Sequence, residues 1–217
     1  MDAAIHDIGG LGVLFVMATE QEYGPALKAR IRPLMTGVGP VEAAAATGAA
    51  MAVLAHRERL PDLVFSIGSA GSRRLEHAAV YQIGSVGYRD IDASPFGFTK
   101  GVTPFLDHPV AIPIPHRIPG IPVASISTGG GVVSGAGYDA IEADMVDMET
   151  FAVLRAAARV GVPTVGLRGI SDGRTELTGF HDWTEYLHVI DERLARALDD
   201  FAGHVAAGRF RLDRGAG

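Results

Sequence analysis

The stretch Val13-Leu14-Phe15-Val16-Met17 decides how the chain is read. Five consecutive apolar residues have the length and composition of a strand covered on both faces. Runs of the same kind recur at Leu63–Ile67, Val123–Ile126 and Thr164–Leu167, with helical stretches between them. Val41–His56 is alanine-rich, with Gly48 as its weak point, and predicts a helix packed closely through small side chains. Glu149–Val160 carries Phe151, Leu154, Ala157 and Ala158 and stops at Gly161, with Pro163 beyond. Glycine followed by proline is a helix stop signal. The last helix keeps Trp183, Leu187, Ile190, Leu194, Leu198 and Phe201 on one face at spacings of three and four. Strands alternating with helices predict an α/β layer architecture around a largely buried sheet.

Composition narrows the function. The 217 residues suit a single domain over 1–217, with mobile ends expected at 1–10 and 209–217. Tyr88–Pro122 holds Pro109, Pro113, Pro115, Pro119 and Pro122 and reads as a loop-like insertion. The absence of cysteine excludes disulfides, cysteine–zinc sites and a thiol nucleophile. With 25 acidic against 19 basic residues the net charge is −6, so no basic field is available for nucleic acid. The 8 histidines show neither His-Glu-x-x-His nor a pair at helical spacing, which gives no metal motif. Asp2 and Asp7 precede the short apolar run Gly10–Ala18 without a lysine or arginine, unlike an export signal. No run approaches the ~18 apolar residues of a membrane span. The expectation is a cytoplasmic protein without cofactor, membrane or nucleic-acid partner.

Glycine is in surplus, 28 of 217 residues, nearly twice the usual ~7%. It clusters near the ends of apolar runs: Gly37 and Gly39; Gly68 and Gly71; Gly129, Gly130, Gly131, Gly135 and Gly137; Gly169 and Gly173. At the carboxyl ends of strands in an open α/β sheet, bare backbone admits a small ligand and offers it N–H groups. No cluster forms a P-loop or a Gly-x-Gly-x-x-Gly fingerprint. Carboxylates accompany them: Glu20 and Glu22 after the first strand, Asp147 and Glu149 at a helix start, and Asp172 beside Arg168 and Ser171. Such a set can supply an acid and a base with separated pKa values. A rival pattern is Gly169-Ile170-Ser171-Asp172-Gly173, which fits the nucleophile elbow of a serine hydrolase with Asp182 or Glu185 and His188 downstream. Against it, those partners all fall in or beside the last helix.

Taken together, these residues resemble the 5′-methylthioadenosine/S-adenosylhomocysteine nucleosidases of the nucleoside phosphorylase superfamily. The resemblance runs from about Val13 to Phe201. It rests on Met17–Glu22, Gly37–Ala43, Ser66–Gly71, Tyr88–Gly97, Val146–Glu149 and Arg168–Asp172 in order and spacing. It implies a three-layer α/β fold, a central mixed barrel-like sheet flanked by helices, in a homodimer that takes a small-molecule purine nucleoside. It further implies that Glu22 deprotonates the attacking water, helped by Arg168 and Ser69, and that Asp172 gives a proton to purine N7. Glu149 would grip the ribose hydroxyls with Met148 against the sugar, and Ser171 would stand beside the base. Val38 and Trp183 would line the 5′ pocket, and Phe96 would reach the neighbouring subunit's site. Where family members commonly carry Phe-Ile at the base, this chain has Val132-Val133, and its segment between the first strand and Gly37 is shorter. Glu20-Gln21-Glu22 stands where related phosphorylases carry a phosphate cradle, which favours water over phosphate. Futalosine-type nucleosides, and a non-catalytic nucleoside-binding protein on the same fold, are the alternatives to that reading.

Overall fold

In the computed structural model, which describes residues 3–212, the apolar run opens into a longer strand, β2 (Leu11–Met17). Its alternate side chains serve two different cores. Leu14 and Val16 pack with Ala43, Ala50, Met51 and Leu54 of α2 (Pro40–His56) and with Ala152, Val153 and Ala157 of α3 (Thr150–Ala158). Val13, Phe15 and Met17 face the opposite way, into a larger core. That core is completed by Ile190, Leu194, Leu198 and Phe201 of α5 (Leu187–Ala206). Helices on both faces of the sheet explain why the strand is apolar throughout, and they make the three layers.

The sheet is mixed and closed. β2 pairs in parallel with β4 (Leu63–Gly71), and β4 pairs in parallel with β9 (Thr164–Asp172). From β9 the ring continues antiparallel to β5 (Val80–Tyr88), then parallel through β7 (Val123–Thr128) to β8 (Met145–Asp147). It shuts where Gly71 of β4 meets Val146 of β8 in antiparallel register. The mixed barrel-like sheet that the resemblance implies is present, but the single ligand-binding edge expected for the clusters is not. β7 and β8 run against β4, so the glycine and acid clusters do not share one carboxyl edge. They meet because closure folds the end of β4 onto β8.

Several elements differ from the sequence reading. Residues 5–8 were expected to be mobile, yet β1 (Ile5–Ile8) pairs antiparallel with β2 through a turn at Gly9-Gly10. The other end is also packed: Phe210 is buried edge-on against Phe201, ring centroids 5.0 Å apart. Residues 1–2 and 213–217, the rest of the expected mobile ends, lie outside the described residues. The Tyr88–Pro122 insertion contains an edge strand, β6 (Ala111–Pro113), on β5. A two-residue strand, β3 (Leu34–Met35), borders β2. The last helix is broken at Glu185–Tyr186 into α4 (Phe180–Thr184) and α5. The break lets Trp183 bond Ser69, while α5 keeps its apolar face on the core. Among the described residues no helix is long and apolar enough to cross a membrane.

One tertiary contact holds the segment after β2 in place. The carboxylate of Asp191 on α5 accepts hydrogen bonds from the Ala26 and Leu27 amides (2.8 and 3.0 Å), capping the short helix α1 (Pro25–Lys28). Asp191 is 3% exposed, so its removal leaves donors buried without acceptors. We predict that Asp191→Ala lowers stability by about 2–4 kcal/mol. Urea unfolding followed by far-UV circular dichroism checks this, and a loss below about 0.5 kcal/mol contradicts the anchoring role.

Candidate active site

Glu22 ends a single 3₁₀ turn, Glu20–Glu22, whose start is capped by the Thr19 hydroxyl accepting from the Gln21 amide (3.0 Å). The turn tucks Glu22 into the protein. Its Oε1 accepts from both the amide and the hydroxyl of Ser69, each at 2.6 Å. The Ser69 hydroxyl in turn accepts from Trp183 Nε1 at 3.0 Å. The chain Trp183–Ser69–Glu22 therefore fixes the orientation of the carboxylate. Burial pushes the Glu22 pKa up, opposed by the two Ser69 bonds and by the positive charge of Arg168.

Arg168 is committed elsewhere. Its Nη1 donates to the Leu167 carbonyl, and Nη2 donates to Ser66 Oγ (2.9 Å), Thr150 Oγ1 (2.8 Å) and Asp147 Oδ2 (3.1 Å). Asp147 also accepts from Thr128 Oγ1 (2.6 Å), the Thr150 amide (2.9 Å) and the Thr150 hydroxyl. Arg168 makes no hydrogen bond to Glu22 among the described residues; it acts on it through its charge. Both border a chamber of about 10 Å³, also lined by Ser66, Ser69 and Glu149, with room for a single water.

Glu149 stands just before α3, where helix N–H groups favour negative charge. Its Oε1 accepts from the Gly39 amide at 2.8 Å. Gly39 has φ = 100°, a conformation side chains rarely adopt, and this aims its N–H back at the acid. Burial, with the negative charge of Asp147 beside it, pushes Glu149 up to about 7.

Asp172 ends β9. Burial raises its pKa, opposed by a 2.7 Å hydrogen bond from the Ser171 hydroxyl to Oδ2 and by the nearby His77. That bond decides against the hydrolase alternative. The Ser171 hydroxyl is spent on Asp172, Asp182 accepts from Thr178 and Gly179 at the start of α4, and His188 is exposed on α5. The triad residues are not assembled.

A cleft of about 600 Å³ gathers the set. Glu22, Ser69, Glu149, Met148, Ser171 and Asp172 line it, together with Val38, Val132, Val133 and Trp183. Of the residues expected at the site, Arg168 lies behind the cleft at the small chamber. Phe96, 85% exposed, does not line its own chain's cleft. The sequence reading missed Arg89. This residue lines the cleft and donates to the carbonyls of Ser127, Asp147, Gly129 and Gly131, so it fastens the glycine-rich loop after β7. Leu177 and Phe180 at the mouth were missed too; only their proximity to Trp183 in sequence hinted at them. Among the described residues no three histidine or acidic side chains are grouped as a metal site requires.

Residues 132–203 match the family model of the Phosphorylase superfamily. Among solved structures, the fold is similar to that of a futalosine hydrolase mutant of Helicobacter pylori (TM-score 0.74, 18% identity, 88% of this chain and 98% of that one). It is similar to a 5′-methylthioadenosine/S-adenosylhomocysteine nucleosidase from Colwellia psychrerythraea in complex with adenine (0.71, 22%, 88% and 94%). The nucleosidase from Neisseria meningitidis in complex with methylthio-immucillin-A is alike again (0.72, 21%, 90% and 98%). No curated protein sequence matches the chain. The family model and the shared fold support the resemblance read from the sequence, including the closed mixed sheet.

The raised Glu149 has a consequence for stability. Its ordinary value is 4.5 and its folded value is about 7. The stability it contributes is complete below the unfolded value and is lost as pH rises through the folded one. We predict that the parent protein loses stability between about pH 4.5 and 7. Glu149→Gln should flatten that slope by up to about 3 kcal/mol. Urea melts across this window measure it, and identical slopes in the two proteins refute the assignment.

Proposed function

We propose that the chain is a purine nucleoside N-glycosidase that hydrolyses 5′-thio-substituted adenosines, methylthioadenosine and adenosylhomocysteine, to adenine and the thioribose. The observation that carries this reading is the convergence of three largely buried, pKa-raised carboxylates, Glu22, Glu149 and Asp172, on one cleft beside a water-sized chamber.

Breaking the bond between C1′ and the base builds positive charge on the ribose and negative charge on the base. Asp172, whose pKa burial raises, gives its proton to N7 through Oδ1, since Oδ2 is held by Ser171. The base then leaves neutral. Glu149 holds the ribose hydroxyls and stabilises the developing charge on the ring. Water in the chamber attacks C1′ and yields its proton to Glu22, whose orientation Ser69 sets. Met148 packs against the sugar, and Val132 and Val133 flank the base.

Water is favoured over phosphate by charge. The cations lining the two cavities are Arg89 and Arg168. Four backbone carbonyls engage Arg89, and Asp147 neutralises Arg168. Glu22 would repel an oxyanion, and the chamber is too small for one.

A futalosine-type 5′-modified purine nucleoside is the second reading. It is favoured by the likeness to the Helicobacter pylori futalosine hydrolase and by the wide apolar mouth formed by Val38, Leu177, Phe180 and Trp183. We also propose a homodimer that uses the exposed Phe96 of the Tyr88–Pro122 segment.

Incubation without phosphate, with methylthioadenosine, adenosylhomocysteine, futalosine, inosine and adenosine in turn, should release free purine from a 5′-modified substrate. Release only on addition of phosphate would make the protein a phosphorylase, and no release from any nucleoside ends the enzymatic reading. Asp172→Asn and Glu22→Gln are each expected to lower kcat by about 10²–10⁴-fold with the circular dichroism spectrum preserved.

A further inference from the structure

The cleft does not account for Tyr138. It lies on the 3₁₀ segment Gly135–Ala140 and is 4% exposed, and its hydroxyl is buried without a hydrogen-bond partner among the described residues. A buried phenol left unpaired costs about 1–3 kcal/mol, so its position asks for a partner. The hydroxyl is wedged between two glycines that flank Asp172 in space and sequence. A Cβ on Gly71, the register partner of Asp172 across β4 and β9, would collide with it. A Cβ on Gly173 would stand 2.6 Å from it. The same Gly71 position lies 2.7 Å from Asp172 Oδ1. Two bare α-carbons thus admit the phenol to the side of Asp172 that carries Oδ1. That oxygen accepts no hydrogen bond among the described residues, whereas Oδ2 is taken by Ser171.

We propose that Tyr138 is a positioning residue for the proton donor, its hydroxyl donating to Oδ1 of Asp172 once that carboxyl has given up its proton. The inference rests on the proposed reaction, in which Asp172 protonates the base. Tyr138 does not line the cleft, so it acts through Asp172 and not on the substrate. Protonated Asp172 directs its own hydrogen at the purine and needs no donor. The carboxylate left after transfer has a vacant acceptor on the side of Asp172 where the unpartnered phenol is buried. Stabilising the product form of the acid lowers the barrier to proton transfer.

Other charged groups around Asp172 do not duplicate this role. His77, in the connection from β4 to β5, lies near Asp172; burial and then Arg174 lower its pKa, with Asp172 and Glu185 opposing. Burial and then the charge of Asp172 raise the Tyr138 pKa, opposed by the Arg73 guanidinium, which lies over the ring 5.8 Å from its centroid. Arg89 also acts on Tyr138 by charge alone.

The experiment is the titration of Asp172 by ¹³C carboxyl NMR in the parent and in Tyr138→Phe, the signal assigned by its loss in Asp172→Asn. The pH profile of kcat is measured alongside. Removing a donor to the carboxylate raises its pKa. The midpoint and the alkaline limb of kcat should therefore both move up by about 0.5–1 pH unit in Tyr138→Phe. At the same time kcat should fall about three- to ten-fold while KM stays within about two-fold, because Tyr138 does not touch substrate. If Tyr138→Phe does not fold, 3-fluorotyrosine at position 138 provides a stronger donor of nearly the same size, and the midpoint should move down. An unchanged midpoint in either variant overturns the proposal. A shifted midpoint in a protein that releases no purine would instead remove the proposed reaction and leave the contact standing.

Discussion

The ion pair between Arg168 and Asp147 is the contact on which the site depends. Both residues are almost fully buried, and each spends its hydrogen bonds on a different part of the closed sheet. Arg168 comes from β9 and reaches Ser66 on β4. Asp147 comes from β8 and reaches Thr128 on β7 and Thr150 at the head of α3. A buried pair of this kind holds because further hydrogen bonds with Ser66, Thr128 and Thr150 surround it. Loss of either partner would leave an uncompensated charge, worth about 3–5 kcal/mol. The stretches carrying Ser69, Glu149 and Asp172 all begin within a few residues of it, so the network sets the spacing of the acids without touching a ligand.

The same pair controls the charge in the cleft. Glu22 and Glu149 both feel Arg168 as a stabilising cation and Asp147 as a repelling anion. A lone buried arginine would draw both carboxylates down and invite an oxyanion; paired with Asp147, its field is largely cancelled. Desolvation then becomes the leading influence on all three acids, and it pushes them toward the protonated form. Ser69 at Glu22, through its amide and hydroxyl, and Ser171 at Asp172, through its hydroxyl, pull in the other direction. The acid and base roles proposed for them would thus arise from local hydrogen bonds set against a shared low-dielectric background.

How much of this could be read from the sequence depends on the residue. Val13–Met17 and Thr164–Leu167 were legible as strands because a sheet covered on both faces leaves no polar interruption. The end of α3 was legible because Gly161 and Pro163 act locally. β5 was not: Gln82, Gly84, Ser85 and Gly87 interrupt its apolar pattern, and only its place in the barrel wall makes it a strand. The acids Glu22, Glu149 and Asp172 were found through their order and spacing, and the structure gathers them. Arg168 was legible as a neighbour of Glu22, but nothing local shows that its hydrogen bonds would go to Asp147, 21 residues earlier. Arg89 and Tyr138 were invisible for the same reason. Their partners are backbone carbonyls and glycine gaps brought near only by closure of the sheet.

That closure has a kinetic side. β4 and β8 are joined through one register pair, Gly71 with Val146, where neighbouring seams of the barrel run over several. Local opening is cheapest where the fewest contacts must be broken, and this junction is where the fewest register pairs resist it. Gly71 and Val146 both line the cleft, with Asp172 on the β4–β9 side and Glu149 on the β8 side. A transient parting there would alter the distance between Asp172 and Glu149 while both cores stay packed. The cleft can thus widen without surrendering any of the hydrophobic interior.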